Sequence, residues 1–182
     1  MRGPSLALPV DDSRPDPLIA MPTLHLLYGG VGSGKTTVAK KLERELPAVR
    51  FTHDEWTARL YGCDPPAAGF QEAAARVWEL IWEHAERVLR VGADVVLDGG
   101  FWSRASRDDA RRRAAALGVP CRLYCVACPE PLARRRVQDR TAAMPPGTLY
   151  ISDATFDALN RRVEPLGPDE ECIKVTSGAD AD

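Results

Sequence analysis

The chain is predicted to be an α/β protein with three layers, a five-stranded and mostly parallel sheet lying between helices on both faces. Two observations predict it. From Thr23 onward short apolar runs alternate with longer stretches of helical period, the pattern of strand, crossover helix and returning parallel strand. A glycine-rich run, Gly29-Gly30-Val31-Gly32-Ser33-Gly34-Lys35-Thr36, then separates the first apolar run from the first helical stretch, as expected where a strand turns tightly into a helix.

Residues 1–22 interleave Pro4, Pro9, Pro15, Pro17 and Pro22 with aspartates and have no sustained period. They are predicted to be a flexible tail, leaving 23–182 as a single domain, a length that suits one core. Strands are expected at 24–28, 49–52, 94–97, 121–126 and 173–175. A helix over 35–46 stops at Pro47, and a helical segment over 55–61 follows the second strand. The stretch 70–91 carries Ala74, Val77, Trp78, Ile81, Trp82, Ala85, Val88 and Leu89 at helical spacing and ends at Gly92, a common terminating glycine. Further helices are expected over 104–117, ending at Gly118, over the strongly basic 131–141, and over 152–163 with a Ser or Asp cap.

A formal net charge of -2 gives no global attraction to nucleic acid or anionic membranes. No apolar run reaches transmembrane length. The five cysteines, an odd number without a secretory leader pattern, suit a reducing cytoplasm rather than a disulfide framework. Cys121, Cys125 and Cys128 are expected to be small buried hydrophobes rather than metal ligands.

The glycine-rich run has the form G-x-x-x-x-G-K-[ST], whose backbone N–H groups and following helix N-terminus cradle phosphates. Residues Gly29, Gly30, Val31, Gly32, Ser33, Gly34, Lys35, Thr36 and Thr37 are therefore expected to bind a nucleoside triphosphate. Lys35 would reach the β- and γ-phosphates, and the Thr36 hydroxyl would ligate Mg²⁺. Ligands of such sheets collect at the carboxyl ends of strands, so the residues after each strand carry weight. Asp98, closing the run Val95-Val96-Leu97, is either a Mg²⁺ ligand or a cap for the next turn. Asp54 is either a base that takes the proton of an attacking hydroxyl or an N-cap. Arg136 and Arg140, one helical turn apart, could clamp phosphates or lie on a solvated face. Arg104 and Arg107 could hold a charged group of a second substrate or be ordinary surface residues. Trp56 and Trp102 each follow a candidate acid and could wall off a substrate, whereas Trp78 and Trp82 suit helix packing.

Over residues 23 to about 175 the chain resembles the zeta-toxin-like, polynucleotide-kinase-like and gluconate-kinase-like group of P-loop kinases. The loop over 29–37, Asp54 with its helical sequel, Asp98-Gly99-Gly100-Phe101, Arg107 and the Arg136/Arg140 pair carry the likeness. The resemblance implies a P-loop NTPase fold with an arginine-bearing helical lid, and transfer of the γ-phosphate of ATP, with Mg²⁺, to a hydroxyl. Asp54 would be the base, with Lys35, Arg136 and Arg140 as the other catalytic groups. The longer insertions of the toxins and the phosphatase domain of some end-healing kinases are missing, so a small-molecule acceptor, a metabolite or antibiotic, is expected. The two tryptophans and nearby acids suggest a neutral or cationic one. A nucleic-acid 5′-hydroxyl kinase and a nucleotide-dependent binding switch are the alternatives. Residues 176–178 are candidates for contact with the base.

Overall fold

The computed structural model describes residues 21–66 and 68–176. Most of the expected tail, and residues 177 and 178 of the candidate base contact, lie outside the described residues. Five strands, β1 (Leu24–Tyr28), β2 (Ala48–Thr52), β3 (Asp94–Asp98), β4 (Cys121–Ala127) and β5 (Ile173–Thr176), form one sheet in the order β2-β3-β1-β4-β5. All four ladders are parallel, so each connection crosses over through one or more helices. These are α1 (Lys35–Glu45), α2 (His53–Tyr61), α3 (Phe70–Arg90), α4 (Arg104–Ala116), α5 (Glu130–Ala143) and α6 (Asp153–Asn160).

Strand alternation divides the core between the two faces. Leu24, Leu26, Val95 and Leu97 pack with Val77, Ile81 and Ala85 of α3 and with Ala110 and Ala114 of α4. The intervening Leu27 and Val96 point the other way, where Ala39 of α1 meets them. A third, smaller cluster joins Val31 of the glycine-rich loop to Ala133 and Val137 of α5 and Phe156 of α6. Helices α5 and α6 are thereby docked on the loop, and Arg134 fastens them together through Asp157 at 2.6 Å while lying over the Phe156 ring.

The basic face of α4 binds the segment that leads to β5. Arg107, fully buried, forms a two-pronged pair with Glu170, both contacts at 2.8 Å. Arg111 joins the same carboxylate at 2.7 Å, and Arg104 grips Asp169 at 2.7 Å. One sequence expectation fails next to this strap, because Cys125 of β4 is disulfide-bonded to Cys172, while Cys63, Cys121 and Cys128 are free. The parallel β4–β5 ladder brings the two cysteines together across 47 residues of sequence, a proximity that spacing along one strand does not reveal. Among the described residues no helix is long and apolar enough to cross a membrane.

Candidate active site

The glycine-rich loop joins β1 to α1 at the carboxyl end of the sheet. Gly32 sits at φ +75°, and a Cβ there would lie 2.3 Å from the Ala133 carbonyl oxygen; a side chain would therefore push α5 off the loop. Helix α1 has Gly34 as its N-cap, with no side-chain cap and no acid in its first turn, which leaves its N–H groups and its positive dipole end for an anion. The Lys35 Nζ donates to the carbonyls of Gly29 and Gly30 at 3.0 and 2.6 Å. The buried Ser33 hydroxyl has no partner among the described residues. Thr37 follows on an exposed part of the first turn.

Four charged groups meet at this mouth. Burial pushes the Lys35 ammonium down to about 8, with Asp54 and Asp98 pulling it up and Arg140 pushing it further down. Asp98 ends β3 with its side chain buried; it accepts from the Thr36 hydroxyl at 3.3 Å and from Arg50 at 3.2 Å. Burial raises its pKa overall, against the opposing Arg50 charge and the Thr36 hydrogen bond. Asp54 lies in the first turn of α2, whose N-cap is Thr52. Its carboxylate is crowded by protein yet half open to solvent, 3.7 Å from His53 Nδ1. Crowding raises its pKa, but the neighbouring His53 ring, then the charges of Arg140 and Lys35, pull it below the ordinary carboxylate value. Arg140 reaches in from α5, and its buried Nε has no hydrogen-bond partner among the described residues.

A triphosphate and Mg²⁺ fit this arrangement. Mg²⁺ takes few protein ligands, commonly one carboxylate with a hydroxyl, phosphates and waters. Asp98 and Thr36, already within hydrogen-bond distance of each other, would supply that pair, and the described residues contain no group of three or more His, Cys, Asp and Glu able to hold a metal.

Other expected residues lie elsewhere. Trp56 turns into the core, edge-on to Phe51 and His84. Arg107 spends its donors on Glu170 and on the carbonyls of Phe101, Trp102 and Pro165, and Arg104 spends its own on Asp108 and Asp169; both brace the walls instead of facing the mouth. Trp102 does reach the loop, its indole N–H donating to the Gly29 carbonyl at 2.9 Å. Arg136 lies one turn before Arg140 and places Nη1 3.6 Å from Cys128 Sγ.

Two contacts to the site were missed in the sequence. Arg50 of β2 ties Asp98 to Glu55 and Glu43, at 3.2, 2.9 and 3.2 Å. Asn160, the last residue of α6, accepts a hydrogen bond from the Val31 N–H at 3.0 Å. An arginine alternating with apolar residues in a strand was the available signal for Arg50; Asn160 had none.

The sequence over residues 24–166 matches the family model described as AAA domain. The chain belongs to that family. No curated protein matches it in sequence. Among solved structures it resembles Chaetomium thermophilum Kti12 in complex with ADP-AlF3, at 19% identity over 87% of this chain and 90% of that one, with a TM-score of 0.67. It also resembles a gluconokinase from Sinorhizobium meliloti, at 16% identity over 86% and 83%, TM-score 0.58. A chain of the Pnkp1/Rnl/Hen1 RNA repair complex matches at 19% identity and TM-score 0.65 over 79% of this chain, which spans 44% of that one. These likenesses show the fold alone, which with the family match is an α/β fold of the P-loop NTPase type.

Proposed function

We propose that this protein is an ATP- and Mg²⁺-dependent phosphotransferase that acts on a hydroxyl of a small molecule. The convergence of Lys35, Asp54, Asp98 and Arg140 beside the uncapped start of α1 carries the proposal, because each is a group that in-line phosphoryl transfer uses. The loop N–H groups and Lys35 bind the β- and γ-phosphates, and Thr36 and Asp98 hold Mg²⁺, whose charge offsets that of the phosphates. Asp54 accepts a hydrogen bond from the acceptor hydroxyl and orients it. As the acceptor oxygen bonds to the γ-phosphorus and the bond to the ADP oxygen breaks, Asp54 takes the proton. Its lowered pKa is compatible with this, since in a loose transition state the hydroxyl becomes acidic only late. Arg140 offsets charge on the transferred oxygens, and α5 with α6 shields the mouth from water.

Asp54→Asn is the direct test. Acceptor-dependent turnover should fall by about 10²–10⁴-fold, the usual contribution of a positioned base, with Mg–ATP affinity unchanged; an unchanged rate refutes the assignment. The likeness to Kti12, over most of both chains, favours a nucleotide-dependent switch as the second reading. Such a switch would show no acceptor-dependent ATP consumption across a panel of hydroxyl compounds. The likeness to the RNA repair complex raises 5′-hydroxyl ends as acceptors, for which activity should fall steeply with salt.

A further inference from the structure

Helix α6 ends at Asn160, three residues short of the sequence expectation, and releases Arg161 and Arg162 into the segment that crosses to α4. Both arginines line a cavity of about 470 Å³, with Gly100, Trp102, Ser103, Ser106 and Glu164, a size typical of small-molecule sites. Two of its walls are fastened to the phosphate loop, one through Trp102 to Gly29 and the other through Asn160 to Val31. The cavity therefore opens beside the start of the loop, next to the glycines that follow Asp98.

Its charge is unbalanced. On α4 and α5, Arg104, Arg107, Arg111, Arg112, Arg113, Arg134 and Arg135 are all in ion pairs. The guanidiniums of Arg161 and Arg162 have no hydrogen-bond or ion-pair partner among the described residues. Glu164, the cavity's one acid, is engaged at 2.6 Å by the backbone N–H of Arg104, where it serves the start of α4. Two unpaired forks against one committed carboxylate favour an anion with paired oxygens, while the Trp102 ring offers an apolar face.

We propose that this cavity receives the acceptor and that the acceptor bears a carboxylate or phosphate held by Arg161 and Arg162. The proposal rests on the phosphotransferase assignment and replaces the neutral or cationic substrate expected from Trp56 and Trp102. It is tested by calorimetry on protein saturated with Mg²⁺ and the non-hydrolysable analogue AMPPNP, which occupies the phosphate loop and removes turnover from the readout. D-gluconate and D-ribose 5-phosphate are titrated beside the neutral D-glucitol and D-ribose. At least one anion should bind ten-fold or more tightly than its neutral counterpart, and which anion wins distinguishes carboxylate from phosphate. The Arg161→Ala/Arg162→Ala double variant should lose that preference at least ten-fold with AMPPNP affinity unchanged. Equal binding of neutral compounds, absence of anion binding, or anion binding that survives in the variant overturns the proposal. A variant that weakens AMPPNP instead assigns the arginines to the nucleotide and overturns it too. Failure of the phosphotransferase assignment would appear separately, as anion binding without acceptor-dependent ATP consumption.

Discussion

Replacing Arg107 by Met should destabilise the fold strongly although the position is remote from the transferred phosphate. The wild-type guanidinium makes two contacts to Glu170 at 2.8 Å and donates to the carbonyls of Phe101, Trp102 and Pro165 at 3.1, 2.9 and 3.4 Å. Breaking one side of a buried pair costs about 3–5 kcal/mol, because the remaining charge is stranded. Glu170 would keep Arg111 and the Gly167 N–H, so the lower end, about 3 kcal/mol, is expected. For a chain of this length that corresponds to a Tm lower by about 6–12 °C. Urea denaturation of the wild type, R107M, E170L and R107M/E170L measures it. The double variant should be less destabilised than the sum of the singles, with a coupling of about 2–3 kcal/mol. Arg107 and its neighbours hold Glu170 well below the usual carboxylate range. The stabilisation is therefore fully present above the unfolded carboxyl pKa of about 4.3 and is lost as pH falls below that toward the folded value. The gap between wild type and R107M should accordingly narrow in acid. Additive single costs, or an R107M protein within about 1 kcal/mol of wild type, refute the reasoning.

Two other outcomes are expected. Lys35 must be charged to hold phosphates, and with its pKa lowered to about 8 affinity for Mg–ATP should weaken as pH rises through that value, approaching ten-fold per pH unit. Titrations across this range should show it, with Lys35→Ala weak and nearly flat; a flat wild-type profile counts against the assignment. Alkylation of the denatured, unreduced protein should label three of the five cysteines. Reducing the Cys125–Cys172 bond, which closes a separation of 47 residues, should lower stability by about 2–4 kcal/mol in urea; labelling of all five contradicts the pairing.

The fold was largely legible because its information is local. Periodicity, Pro47 and the glycines at 92 and 118 mark helix ends, and a parallel α/β sheet admits few connections. The Thr36–Asp98 juxtaposition followed from two strand ends that such a sheet places side by side. Trp56 failed for a simple geometric reason. Two residues along a helix turn through about 200°, so if Asp54 faces the mouth, Trp56 must face the core. Arg104 and Arg107 looked available because their partners, Asp169 and Glu170, lie more than sixty residues away. Arg50 was hidden likewise, since its acids come from α1, α2 and β3.

The indole of Trp102 gives the protein a built-in optical signal. Trp56, Trp78 and Trp82 belong to α2 and α3 and pack against the main core, whereas Trp102 bonds the Gly29 carbonyl that Lys35 also bonds. When Lys35 leaves that oxygen for a phosphate, the dipole facing the excited indole changes. Emission from Trp102 should then shift with nucleotide occupancy while Trp56 and Trp82 provide a nearly constant background and Trp78, stacked on His53, adds a response of its own, so that nucleotide binding can be followed by fluorescence without a label.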